Sequence, residues 1–369
     1  MEHVIADQFL AANEDEIADL LDENAVEDLK SLYSLLRKKD LTSLLRTPFE
    51  KWIDLTGTAI VFDEEDSDNM VVKLLTLKKQ VDNIWDVSFR RDQDLGHALR
   101  ESFDTFMNKS KKTSATWNTD NSKPGEMIAK YVDMLLRGGS KAIPSTLAKN
   151  AAKSTITAAE EDNEEEDVDE EREVNNQLDQ VLDLFRFLDG KAVFEAFYKK
   201  DLARRLLMNR SASADAERSM LTRLRTECGP GFTSNLEQMF KDIELAREEM
   251  ATYKMSLSEK GLSPSIDLSV NTLSSAAWPS YPDIPVNIPM EVKAEIDAFE
   301  SHYSLKHSGR RLTWKHALAQ CQLKASFPCG NKEVVVSSFQ AIVLLLFNGV
   351  GLDERISYET LLAETGLRK

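Results

Sequence analysis

Apolar residues recur every three to four positions through most of the first 260 residues, and the resulting stripes predict helices packed on helices. Leu29, Leu32, Tyr33 and Leu36 share one such face. Val71, Leu74 and Leu75 begin another, with Lys78 as its polar lapse, and Val81, Ile84 and Trp85 carry it on. Thr47-Pro48-Phe49-Glu50 reads as a capping box with Pro at the first helical position, so a helix is predicted to start there and bury Trp52 and Ile53. Leu95, Leu99, Phe103 and Phe106 form a further stripe, after which residues 108–123 dissolve into Lys, Ser, Thr and Asn, the chemistry of a linker. Met127, Ile128, Tyr131, Met134 and Leu135 line a helix opened by Pro124 and closed by Gly138-Gly139.

Residues 140–176 are Ala/Ser/Thr/Lys-rich and then acidic; their like charges repel and little in them is apolar, so they are expected to be a disordered insert. Periodicity resumes with Leu178, Val181, Leu182, Phe185 and Leu188 up to Gly190. Val193, Phe194, Phe197, Leu202 and Leu206 follow, then Met220, Leu221 and Leu224 up to Cys228-Gly229. Ser234 with Glu237 reads as a second capping box, starting a helix through Leu236, Phe240, Ile243, Met250 and Tyr253. Helices of this kind with short joins predict a four-helix bundle.

After Gly261 the period changes from 3.6 to 2. Ile266, Leu268, Val270 and Thr272 alternate with polar residues, which predicts a half-buried strand over 266–273. Pro279, Pro282, Pro285 and Pro289 exclude regular structure next, and Val292, Ile296, Phe299 and Tyr303 predict a helix. The clearest strand signal is 319–327, with Ala319, Cys321, Leu323, Ala325 and Phe327 on one face; Val334 and Val336 mark its partner over 333–336. Ser337 with Gln340 caps an apolar helix to Phe347, and a last helix spans 358–364. The expected fold is mainly α with an α+β part built on a small mixed sheet.

The chain has 369 residues, 42% of them hydrophobic and 30% charged, enough to bury sizeable cores. Its formal charge is −17, and residues 160–173 hold 11 acidic residues and one Arg, a net of −10, so −7 is left for everything else. Nucleic acid needs a basic surface, so direct binding to it is not expected. The longest apolar run, Ala341–Phe347, is too short to cross a bilayer, and the N-terminus lacks the layout of a signal peptide. Three cysteines without a CxxC pair suit a reducing interior, so a soluble intracellular protein is expected.

Phosphate-loop, nucleophile-elbow and zinc-protease motifs are missing from the sequence. Gly349-Val350-Gly351 lacks the third glycine of a dinucleotide fingerprint and reads as a turn. His307, His316, Cys321 and Cys329 are metal-capable, but no two stand at the close spacing of zinc sites, so buried thiols and surface imidazoles are expected. The sequence therefore implies no catalytic residue, metal or cofactor. Lys199, Lys200, Arg204 and Arg205 put four cations on about one and a half turns, either a solvated helix face or a docking strip for an acidic partner. The acidic run reads as a solubilising spacer.

The segment 184–207, LFRFLDGKAVFEAFYKKDLARRLL, resembles the cullin homology region closely, and Ser211–Met220, Gly231–Glu249 and His307–Trp314 extend the match. Within the family, Leu21–Leu29, Gly57–Val61 and Phe194–Lys200 are most similar to the cullin-4 branch. The resemblance implies the end of a last helical cullin repeat over 1–109 and a linker over 110–123. It further implies a four-helix bundle over 124–255, an α/β domain over 256–336 and an incomplete winged helix over 337–369.

Cullins are scaffolds of multisubunit ubiquitin ligases, so the implied function is a non-catalytic scaffold that binds a RING-box protein and supports ubiquitin-dependent degradation. Such binding would proceed by strand addition to the sheet, with Leu268, Val270, Thr272, Leu323, Ala325, Val334 and Val336 as candidates. Lys199, Lys200, Arg204 and Arg205 would dock a ubiquitin-conjugating enzyme transiently. In the family, the substrate adaptor is held by upstream repeats and a C-terminal lysine accepts a ubiquitin-like modifier; neither feature is expected in this chain. Nucleus and cytoplasm are the implied location, with no membrane contact. The alternative is a helical interaction adaptor unrelated to ubiquitin. Against that adaptor stand the strands after 261 and the absence of a fixed repeat of roughly 30–50 residues.

Overall fold

Leu29, Tyr33 and Leu36 do turn inward together on one helix, and Leu41 and Leu45 beyond it are buried as well. The computed structural model describes residues 14–112, 119–120, 122–147, 163–327, 330–351 and 355–367. It divides into two compact units, Met1–Glu237 and Gln238–Lys369.

The first unit contains helices α1 (Glu14–Asp22), α2 (Val26–Arg37), α3 (Arg46–Val61), α4 (Met70–Asn83), α5 (Gln93–Met107), α6 (Lys123–Gly138), α7 (Asn163–Arg186), α8 (Lys191–Met208) and α9 (Ala214–Cys228). A two-residue antiparallel pairing of β1 (Lys111–Lys112) with β2 (Thr119–Asp120) lies between α5 and α6. Helices on the two sides of this pairing share a core. The rings of Phe103 on α5 and Phe187 after α7 stand 5.3 Å apart, and Asn108 Nδ2 donates to the Phe187 carbonyl at 2.8 Å. The stretch expected as a repeat and the expected bundle as far as Glu237 therefore pack within one unit, while residues 238–255 fall in the second.

Three expectations need correction. Helix α3 begins at Arg46, directly after a 3₁₀ turn over Thr42–Leu45, and no side chain caps it. The Arg46 N–H already donates to the Ser43 carbonyl of that turn, so Thr47 and Pro48 lie inside the helix. Ser234 likewise lies inside α10 (Pro230–Glu259), which starts at a proline suited to a first turn. The capping box at Ser337 and Gln340 does form. Third, the acidic half of the 140–176 insert is helical from Asn163, continuous with the apolar stripe after it. Acidic residues are favoured at a helix N-terminus by its dipole. Val174 and Leu147 are buried, and Gln177 Nε2 donates to the Leu147 carbonyl at 3.3 Å.

The second unit holds most of α10, then α11 (Met290–Lys306), a hairpin of β3 (Gln320–Phe327) and β4 (Gly330–Ser337), α12 (Ser338–Leu346) and α13 (Tyr358–Thr365). Its apolar centre is Met250 and Tyr253 of α10 against Phe299 and Tyr303 of α11. The Tyr253 and Phe299 rings meet edge to face at 5.2 Å. No helix among the described residues is long and apolar enough to cross a membrane.

Candidate partner-binding site

Residues 266–273 show the alternation of burial that their pattern predicts, but they form neither a strand nor a helix. Ile266, Leu268, Val270 and Thr272 are half-buried while Asp267, Ser269 and Asn271 are exposed. Leu268 and Val270 lie on the Met250–Tyr253–Phe299–Tyr303 centre, beside Leu312 and Trp314. Period two reports which face is buried and is silent on whether a neighbouring strand exists. Among the described residues, 266–273 make no backbone hydrogen bond, and the buried Thr272 hydroxyl has no partner.

Two carboxylates hold the ends of this segment. Glu295 of α11 accepts from the Ser265 backbone N–H at 3.0 Å and from its hydroxyl at 3.2 Å. Asp242 of α10, only 5% exposed, accepts from the Ser274 N–H at 2.8 Å, the Ser274 hydroxyl at 2.6 Å, Trp278 Nε1 at 2.8 Å and Gln238 Nε2 at 2.7 Å. Burial alone would raise the Asp242 pKa, but those donors hold it below the usual carboxylate range. Asp242 was not legible as a site. The available signal was an acidic residue at a position of α10 that the apolar stripe buries.

The hairpin supplies the remaining sequence candidates. Leu323 pairs with Val334 and Cys321 with Val336, and with Ala325 they form one half-buried face. Val335, on the other face, is 68% exposed. The sheet has two strands among the described residues, so both outer edges of the hairpin are open and the expected mixed sheet is an antiparallel ladder instead. No hydrogen bond joins 266–273 to β3 or β4.

The four cations of α8 separate into two environments. Lys200 and Arg204 are exposed, Lys199 is half-buried, and none of the three makes an ion pair among the described residues. Arg205 is buried and cannot belong to a docking strip. Its Nε bonds Glu217 of α9 at 2.6 Å, Nη2 reaches the same carboxylate at 3.1 Å, and Nη1 bonds Asp133 of α6 at 2.5 Å. Arg205 continues the buried Phe194–Tyr198–Leu202 stripe at helical spacing, whereas Lys200 and Arg204 lie off it. Burial would lower its pKa, but the bonds to Glu217 and Asp133 raise it, and the guanidinium stays charged.

Among the metal-capable residues, His307 Nε2 lies 3.1 Å from Glu249 Oε2, a carboxylate shared with Lys306 at 3.0 Å. Cys329 lies outside the described residues. No group of three or more His, Cys, Asp and Glu among the described residues is arranged to hold a metal.

The profile of the Cullin alpha solenoid domain matches residues 1–250, and that of the Cullin alpha+beta domain matches 272–369. The chain belongs to the cullin family. Cullin-4A of Mus musculus is 41% identical over 353 residues, which cover 95% of this chain and 42% of that protein. Cullin-4 of Schizosaccharomyces pombe is 35% identical over 351 residues, covering 95% and 43%. Cullin-4 of Dictyostelium discoideum is 36% identical over 342 residues, covering 93% and 38%. The chain thus spans about two fifths of the length of these cullins. The division between helical and α+β parts runs through both the profiles and the structure.

Proposed function

We propose that this cullin is a non-catalytic scaffold of a ubiquitin ligase, and that residues 266–273 receive an extended segment of a RING-box protein. One observation carries the proposal: a segment with alternating burial, pinned at Ser265 and Ser274, whose backbone polar groups have no partner among the described residues. An incoming strand would satisfy those groups, with main-chain hydrogen bonds supplying affinity and alternate side chains specificity. Leu323, Ala325, Val334 and Val336 on the open-edged hairpin are the second platform. Family membership and the cullin-4 relatives support the ubiquitin connection; residence in nucleus and cytoplasm is part of the proposal. They weigh against an unrelated adaptor.

The exposed Lys200 and Arg204, with the half-buried Lys199, would steer an acidic segment of a ubiquitin-conjugating enzyme, an effect that salt screens over a Debye length of about 8 Å. The test is co-purification with a RING-box protein. Val270→Asp would bury a charge on the face that holds the segment, and capture is expected to be lost. Circular dichroism must show the helices intact; a folded variant that still captures the partner excludes 266–273.

A further inference from the structure

Pro279, Pro282 and Pro285 fall in a strict period of three, with Pro289 beyond them. A polyproline II helix has three residues per turn, so in that conformation these prolines would share one ridge. Each ring fixes its own φ and drives the preceding residue (Trp278, Tyr281, Ile284 or Ile288) out of the helical region. Pro289, at φ −54° and ψ 143°, has that conformation. No helix or strand forms over 279–289.

Both ends of this segment are tied down. Trp278 is held by Asp242. Asn287 donates its N–H to the Thr365 carbonyl at 2.8 Å and its side-chain amide to the Glu364 carbonyl at 3.0 Å. Between the ties Pro282, Asp283, Ile284 and Pro285 are all exposed, and none makes a backbone hydrogen bond among the described residues. A ligand strand fixed in this way has already lost the freedom that a free peptide must give up on binding.

We propose that residues 281–285, Tyr-Pro-Asp-Ile-Pro, are a docking ridge for a domain with an aromatic-lined, polyproline-reading groove. Ile284-Pro285, both exposed, and Tyr281-Pro282, whose tyrosine is half-buried, are two apolar-Pro pairs three residues apart, the repeat that successive pockets of such a groove accept. Charge narrows the partner further. Asp283 is the one charged residue in 279–289, its side chain is 76% exposed, and Lys315 Nζ approaches it only to 3.6 Å. A groove with a cation, or no charge, beside its pockets fits; an acidic groove is repelled. The ridge lies outside 266–273 and stands whether or not a RING-box protein binds there.

Purified SH3 domains supply the probe. The full chain is titrated into a panel of isotope-labelled SH3 domains with acidic and non-acidic specificity pockets, and amide shifts are followed. At least one non-acidic domain is expected to bind with a Kd tighter than about 1 mM. The double variant Pro282→Ala/Pro285→Ala, at exposed positions and with an unchanged thermal midpoint, is expected to weaken binding tenfold or more. Asp283→Arg is expected to transfer the preference to acidic-pocket domains. Failure of every domain to bind, equal binding by the proline variant, or an unchanged preference in Asp283→Arg would each overturn the proposal.

Discussion

Replacing Arg205 with Met keeps a long apolar stem in the bundle and removes the charge that two carboxylates face. Glu217 and Asp133 have side-chain exposures of only 1% and 12%, so neither recovers much hydration. Removing one partner of a buried ion pair costs about 3–5 kcal/mol, and with two carboxylates stranded the upper half of that range, about 4–5 kcal/mol, is expected. Arg137 stays 2.9 Å from Asp133 and the Ser211 hydroxyl 2.8 Å from Glu217, which keeps the loss within that range. At about 2–4 °C per kcal/mol for a unit of this size, the thermal midpoint should fall by about 8–20 °C. Denaturant unfolding followed by helical circular dichroism reads the change. The triple variant Asp133→Asn/Arg205→Met/Glu217→Gln should regain part of it, because no unpaired charge is left buried. Lys200→Glu and Arg204→Glu, on the exposed face, should stay within about 0.5 kcal/mol of wild type. An Arg205→Met variant within about 1 kcal/mol of wild type would refute the ion-pair assignment.

Gly57→Ala should destabilise the first unit, since its Cβ would lie 2.5 Å from the fully buried Phe106 ring; overpacking of about 1–3 kcal/mol outweighs the ~1 kcal/mol that Ala gains in a helix, and a urea midpoint decides it. Leu147→Ala should cost about 2–5 kcal/mol by the same measurement, against almost nothing if the insert were only a spacer. Asp242 has a depressed pKa, so its stabilisation is complete above the unfolded value of about 3.9 and is lost as pH falls through the lower folded value. Acid titrations of stability should therefore fall more shallowly below about pH 4 in Asp242→Asn than in wild type.

The helices were legible because burial on a helix repeats every 3.6 residues, and Phe103, Leu178 and Phe194 follow that rule. Caps were less so. Thr47 and Ser234 have the right spacing, but an i to i+3 motif fits inside a helix as well as at its start, and backbone preceding both had already begun one. Acidic residues after Asn163 suggested repulsion, yet they continue a helix anchored by Val174 and Leu178. The alternation at 266–273 revealed the buried face but not the missing neighbour, because pairing is a long-range property. Arg205 looked like its exposed neighbours, since Asp133 lies 72 residues away and no local pattern announces it.

Hydrogen–deuterium exchange over residues 266–273, with and without a RING-box protein bound, tests the proposed seat most directly. In the free cullin these amides should exchange as fast as unpaired backbone, since none donates to a described carbonyl. In the complex, alternate amides should slow by tenfold or more as the added strand accepts their hydrogens. A complex that forms with full occupancy while residues 266–273 exchange at the free rate would contradict strand addition at this segment.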